Sequence, residues 1–442
     1  MKLTLIKPNI GRREHSLYVD EGRMEPLQLG VLAGMTPQDI EVALIDDRCE
    51  DIDYDSPTDL VAITVETFTA RRAYEISAEF RKRGTQVVIG GIHPTLLPVE
   101  AKLHADSIII GDAEMVWDRV MADAKKGKIK PVYKARMGIP QSGIIPRRDI
   151  FKGKGYLPLT LIQFGRGCRN SCTFCAISAY FKQKYRYRPI NEVVDEIEHQ
   201  ERKIFFFVDD NIVADRDATK RLLRALIPLR INWVGQGSID MARDGELMEL
   251  MAASGCLGNV IGFESINPEV LRTMKKMPNL ADFNVYEHEI EILKSYGLQT
   301  WAAFVLGVDG DTPDELYKVY DFALRHRFTF AAFNVLMPYP GTPLYGKLRS
   351  EGRLLYGGRW WLHPDYRFNH AAFKPARMTA DELTQISYDI RYKWNSFGTI
   401  LKRSLDLTTN MRTLMKLALY WRYNVLFRKE TLKKQGMRFG RL

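Results

Sequence analysis

Eleven short apolar runs recur along this chain, and their spacing constrains the fold more than any other feature. Neighbouring runs lie a dozen or more residues apart, too far for hairpins and far enough for crossover helices. Five fall at 3–7, 41–47, 60–65, 86–89 and 107–110, with helical stretches such as 70–83 and 114–126 between them. Near-continuous apolar strands separated by helices predict a doubly wound α/β domain over residues 1–135, its parallel sheet covered on both faces. Ligands of such sheets bind at the carboxyl ends of strands, where the strand order reverses. The candidate loops are therefore 8–9, 64–69, 90–95 and 111–114.

Residues 136–157 are rich in Lys, Arg, Gly and Pro and read as a linker. The other six runs follow at 159–164, 204–208, 231–235, 260–263, 300–306 and 330–336. Six tandem β/α units predict a partial barrel over 158–345, because closure of the usual kind needs eight. Its chemistry should sit at the carboxyl ends of the strands. Residues 346–442 lose the strand pattern. They carry Trp360-Trp361 and His363-Pro364, then mostly helical sequence with a basic tail.

Composition narrows the class. Apolar residues make up 45% of the 442 and charged residues 27%, which excludes a disordered or fibrous chain. No uninterrupted apolar stretch approaches the length of a membrane span. The apolar run at the start is too short for a signal peptide, and five cysteines do not make a disulfide framework. A cytoplasmic protein is expected.

Three of the five cysteines fall together, in Gly165-Arg166-Gly167-Cys168-Arg169-Asn170-Ser171-Cys172-Thr173-Phe174-Cys175. A structural zinc site would need a fourth ligand, and none is local; Cys256 lies far along the chain. Three thiolates suit a [4Fe–4S] cluster with one iron left open to chelate a small molecule.

This Cys-x3-Cys-x2-Cys spacing, with an aromatic before the last cysteine, resembles the signature of the radical S-adenosylmethionine (SAM) enzymes. The resemblance implies that Cys168, Cys172 and Cys175 hold the cluster and that the open iron binds SAM. It implies reductive cleavage of SAM to methionine and a 5′-deoxyadenosyl radical, with an external electron donor. Carried onto the strand ends, it places Phe174 beside the adenine and Asp209-Asp210 near the SAM amino group. Gln236 and Ser238 fall near the ribose and carboxylate, Glu264 ends the fourth barrel strand, and Gly307 permits close approach to adenine. Without the cysteine cluster, Asp209-Asp210 would read first as a helix N-cap.

A flavodoxin-like domain before such a barrel resembles the cobalamin-binding subclass of these enzymes. Thr64, Gly90-Gly91, His93-Pro94-Thr95, Gly111 and Glu114 occupy the matching loops. The Asp-x-His-x-x-Gly motif that supplies an axial histidine elsewhere is absent around both His93 and His104. A domain that merely shapes the active site is the alternative to one that binds cobalamin.

The implied activity is methylation of an unactivated carbon of a small-molecule or lipid-like substrate: hydrogen abstraction by the radical, then methyl transfer from methylcobalamin. Relatives with this architecture also cyclise, rearrange or oxidise their substrates, and the motifs do not separate these outcomes. The charge bears on the third alternative, an RNA-modifying protein. The formal net charge is +10, yet eleven Lys and Arg lie between 401 and 442 against only Asp406 and Glu430, so the tail carries nine of the ten. The remainder is nearly neutral and argues against nucleic acid. Residues 411–428 mix cations with apolar and aromatic side chains. They read either as a helix packed on the barrel or as a peripheral contact with the inner face of a membrane.

Overall fold

The computed structural model describes residues 1–11, 22–136, 140, 142–280 and 286–441. Residues 137–139 and 141 of the linker and Leu442 of the tail lie outside the described residues. The chain divides into two compact units. The first is Met1–Leu157 with Tyr356–Phe368 and Gly436–Leu442, and the second is Pro158–Leu355 with Asn369–Gln435.

In the first unit the strands are β1 (Lys2–Lys7), β2 (Glu41–Asp46), β3 (Leu60–Thr64), β4 (Gln86–Gly90), β5 (Ser107–Ile110) and β6 (Val132–Lys134). They form one parallel sheet in the order β2-β1-β3-β4-β5-β6, so the order reverses between β1 and β3. Strands β1 and β3 are almost wholly buried because helices cover both faces. The sixth strand closes the expected domain just before the linker and matches none of the five predicted runs. Its three residues are too few to show a pattern, but Tyr133 is buried in the core beside Trp117.

Two distant segments complete this unit. Trp360, Tyr366 and Phe439 are buried, and Phe68 packs against both Trp360 and Phe439. Gly440 N–H donates to the Ile10 carbonyl, and Arg441 N–H donates to Glu75.

The second unit holds β7 (Thr160–Ile162), β8 (Gly165–Gly167), β9 (Tyr185–Tyr187), β10 (Ile204–Phe207), β11 (Asn232–Gly237), β12 (Cys256–Glu264), β13 (Gln299–Leu306) and β14 (Phe330–Val335). Six of these form a parallel sheet in the order β14-β13-β12-β11-β10-β7, the partial barrel expected. Along β13 every second side chain is buried, and Phe304 stacks on Phe263 and Phe333 inside the barrel. The helix Pro313–Arg325 returns the chain to β14, started by a capping box in which Thr312 and Glu315 satisfy each other's backbone donors. Strands β8 and β9 form a separate antiparallel hairpin.

The region after the barrel is helical, at Ala380–Trp394, Phe397–Ser404 and Leu414–Lys434. The last helix buries Lys416, Tyr420 and Asn424 at four-residue steps, so its inward face is polar. The tail's cations are not a free amphipathic stripe. Arg403 is fully buried, donates to the Phe328, Thr329 and Trp394 carbonyls, and lies 3.9 Å over the Trp394 ring. Lys416 donates to the Gly297 carbonyl, and Arg428 stacks over Phe397. The helix is packed, with Lys416 and Arg428 engaged in that packing while Arg422 and Lys429 are exposed.

Candidate cluster and cofactor sites

The cysteine loop begins where β8 ends and finishes at Cys175, the N-cap of the helix Ala176–Phe181. Its entry is fixed by the end of β10. Asp209 is fully buried, and its Oδ1 and Oδ2 accept the backbone N–H groups of Phe164 at 2.9 Å and Gly165 at 2.6 Å. The Tyr185 hydroxyl donates to the same carboxylate. Asp210 accepts from the Gly167 N–H at 2.7 Å, and Asn211 Nδ2 lies 3.8 Å from the Cys168 sulfur. Burial pushes the Asp209 carboxyl up to about 7 despite its backbone donors.

Both glycines of Gly165-Arg166-Gly167 are structurally required. A Cβ on Gly165 would strike the Tyr185 hydroxyl. Gly167 has φ +90° and abuts the Lys184 carbonyl. At the far end Thr173 donates its N–H to the Met274 carbonyl and accepts from Leu344 N–H, which sets the position of Phe174.

The donor chemistry of this loop fits an iron–sulfur cluster. All five cysteines are free, and Cys168, Cys172 and Cys175 are the three on the loop. Burial pushes the Cys172 thiol up to about 11 and raises Cys175, while Lys276 opposes both shifts. A cation beside two thiols offsets part of the cost that burial sets on the thiolate form that binds iron. Among the described residues, no three His, Cys, Asp or Glu groups converge on a single ion. A four-iron cube takes one thiolate at each of three corners, so it does not require such convergence.

The expected SAM-contact residues divide. Phe174 lines an apolar cavity of about 230 Å³ with Met274, Val308, Leu336, Leu344 and Phe373. Ser238 lines a polar cleft of about 400 Å³ with Asn170, Asn211, Asp215 and Asp240. Five others are engaged by the protein, Asp210 among them through the Gly167 N–H. Asp209 is spent on the loop backbone, and Gln236 donates to the Asp209 carbonyl at 3.1 Å. Glu264, with φ +62° at an irregularity of β12, pairs with largely buried Lys276 at 2.8 Å. Gly307, with φ +93°, makes its close approach to the Leu383 side chain.

In the first unit Thr64 and Gly90 end β3 and β4. Gly91, at φ +118°, leaves room for the Val65 carbonyl, 2.7 Å from where a Cβ would stand. Thr95 Oγ1 donates to the Gly91 carbonyl and accepts from Gly111 N–H, tying the two loops together. Pro94 is buried and Glu114 half-buried. His93 is fully buried, 3.1 Å from Glu100 Oε1 and 3.3 Å from Thr67 Oγ1. Trp361 Nε1 donates to the same Glu100 oxygen. His93 is thus a core histidine with partners at both ring nitrogens. Where the sheet order reverses, Lys7 at the end of β1 pairs with Glu66 beyond β3 at 2.6 Å.

Sequence reasoning missed Lys276, Tyr185 and the two glycines. The glycines left a signal directly before the first cysteine. Lys276 left none, because its partners come from β12 and the cysteine loop.

Residues 162–323 match the radical SAM superfamily. The chain is 33% identical over 416 residues to bacteriochlorophyllide d C-12(1)-methyltransferase of Chlorobaculum tepidum, covering 91% of this chain and 89% of that protein. It is 29% identical to bacteriochlorophyllide d C-8(2)-methyltransferase of the same organism, covering 75% of this chain and 78% of that protein. The fold is similar to that of OxsB, a cobalamin-dependent SAM radical enzyme solved with aqua-cobalamin and SAM. The TM-score is 0.66 at 13% identity, over 98% of this chain and 72% of that one. Fold and cysteine loop define a radical SAM enzyme. The chain belongs to the cobalamin-binding family of radical SAM enzymes, whose cofactors are a [4Fe–4S] cluster, SAM and cobalamin.

Proposed function

We propose that this enzyme methylates an unactivated carbon of a ring-based, largely apolar small molecule of the bacteriochlorophyllide class. The observation that carries the reading is the near full-length 33% identity to a bacteriochlorophyllide methyltransferase. When bound, the cluster, SAM and methylcobalamin supply the radical and the methyl group.

The chain's own residues would hold and orient them. Cys168, Cys172 and Cys175 would take three irons, with the Lys276 cation beside Cys172 and Cys175. Asp209, Gln236 and Glu264 would act indirectly, by fixing the loop and the strand ends. The apolar cavity beside Phe174 would receive an aromatic face and exclude water. The polar cleft at Ser238 and Asn211 would take hydroxyl and charged groups. In the first unit Thr64, Gly90, Gly91, Pro94, Thr95, Gly111 and Glu114 would form or support the cobalamin loops, while His93 stabilises them from the core. An external protein or small reductant would supply electrons. A cytoplasmic enzyme working at the inner face of a membrane suits so apolar a substrate class.

The test is anaerobic incubation of the reconstituted enzyme with SAM, methylcobalamin, a reductant and bacteriochlorophyllide d. A product heavier by one CH2 supports the reading. A product lighter by two hydrogens would replace it with oxidation or cyclisation.

A further inference from the structure

We propose that the turn joining the helices Phe397–Ser404 and Leu414–Lys434 is a membrane-docking surface. It would seat the enzyme on an anionic bilayer without crossing it. The inference goes beyond the methylation reading and does not depend on which carbon is modified.

Apolar exposure is concentrated at this turn. Phe397, Leu401 and Leu405 follow one another at four-residue steps and are all exposed, forming one outward stripe. Leu407 in the turn is 75% exposed and Leu414, opening the next helix, 87%, with Met415 beside it. The opposite side of the first helix is buried through Ile400, Arg403 and Ser404. Scattered surface leucines need no explanation, but a contiguous apolar stripe marks a contact surface.

The turn is held in this shape. The Asp406 carboxylate accepts from Thr408 N–H at 2.9 Å and from the Thr409 hydroxyl at 3.1 Å. Met411 N–H closes the loop onto the Asp406 carbonyl at 2.7 Å. Asn410 Nδ2 donates to the Arg403 and Arg327 carbonyls. The backbone is therefore anchored from beneath while Leu405 and Leu407 project outward, so their exposure is not the fraying of a loose end.

Charge selects the occupant. Between residues 392 and 429 the exposed charged side chains are Lys393, Lys402, Arg412, Arg422 and Lys429. The one acidic residue in that span, Asp406, is buried under the turn. An apolar patch whose own segment exposes cations and no acid complements an anionic lipid surface; the exposed acids Glu287 and Glu291 on the neighbouring helix are paired with Arg325 and Lys294. It opposes a second copy of the chain, because a two-fold contact would set cations against cations. No described helix is long and apolar enough to cross a membrane, so the contact would be peripheral.

The experiment is co-sedimentation of the full chain with phosphatidylcholine vesicles, with and without about one-third phosphatidylglycerol. The wild type should pellet with the anionic vesicles, and raising salt to about 0.5 M should weaken this. The triple variant Leu405→Ser, Leu407→Ser, Leu414→Ser should lose about tenfold or more in binding at an unchanged melting temperature. Lys402→Gln, which alters no packed group, should weaken binding at low salt. A wild type that stays in the supernatant, or a triple variant that binds undiminished, overturns the proposal. Concentration-dependent dimerisation without vesicle binding would overturn it in favour of a second copy.

Discussion

Asp209 Oδ2 accepts the Gly165 backbone N–H at 2.6 Å, and this bond joins the end of β10 to the entry of the cysteine loop. The other oxygen of the same carboxylate serves Phe164 N–H. Replacing Asp209 with Ala leaves two buried donors without acceptors, at a cost of about 2–4 kcal/mol in folding stability. Asp209→Asn keeps one acceptor and should fall between. Urea unfolding of the cluster-free chain gives the energies. Iron bound per chain should fall in the same order, and iron content unchanged in Asp209→Ala would show that the loop does not need this support.

Lys276 and Glu264 form a largely buried pair, with Lys276 beside Cys172 and Cys175. Lys276→Met would leave Glu264 charged and unpaired, costing about 3–5 kcal/mol. Adding Glu264→Gln should recover much of that loss. A double-mutant cycle on the cluster-free chain checks it, and two independent, additive losses would contradict the pairing.

Gly307 sits against Leu383 with φ +93°. Gly307→Ala should cost about 2–4 kcal/mol, combining backbone strain of about 1–2 kcal/mol with the clash. Adding Leu383→Ala removes the clash but opens a cavity and leaves the strain, so the pair should be strongly non-additive. Thermal unfolding of the single and double variants measures this.

Asp311 predicts a pH dependence. Burial pushes its carboxyl up to about 6, although the N–H groups of Gly307 and Val308 pull it down. A raised carboxyl pKa means that the folded state holds its proton after the unfolded state has released it. The wild type is therefore favoured at about pH 4 and loses stability as pH rises to about 6, by on the order of 2–3 kcal/mol. Asp311→Asn cannot titrate, so its stability relative to wild type should climb over that window and stay flat above it. A difference constant from pH 4 to 6 would show that Asp311 is not perturbed.

The spacing of apolar runs was enough to foresee nine of the twelve strands of the two parallel sheets closely, because buried parallel strands announce themselves as apolar runs; of β12 only its second half, 260–263, was foreseen. Strand β7 came out as only the middle of a longer predicted run, and β6 was missed because three residues carry no period. The cysteine loop was legible because three thiols at that spacing have few uses. The contacts that Asp209, Glu264, Gly307 and His93 make within the protein were not legible. Each lies at a strand end or in a loop where a ligand could sit. Whether its atoms face a cavity or a backbone donor depends on partners far away in sequence. The docking turn was hidden for a related reason. The sequence showed a basic, apolar tail, but not that Arg403 and Lys416 are buried while Leu407 and Leu414 are exposed.

The central claim is that three loop thiolates hold a cluster that cleaves SAM. The direct measurement is 5′-deoxyadenosine released from SAM under anaerobic, reducing conditions, read beside iron content, for wild type and Cys172→Ala. The account predicts iron and 5′-deoxyadenosine in the wild type and neither in the variant. Release of 5′-deoxyadenosine by an iron-free Cys172→Ala protein would contradict it.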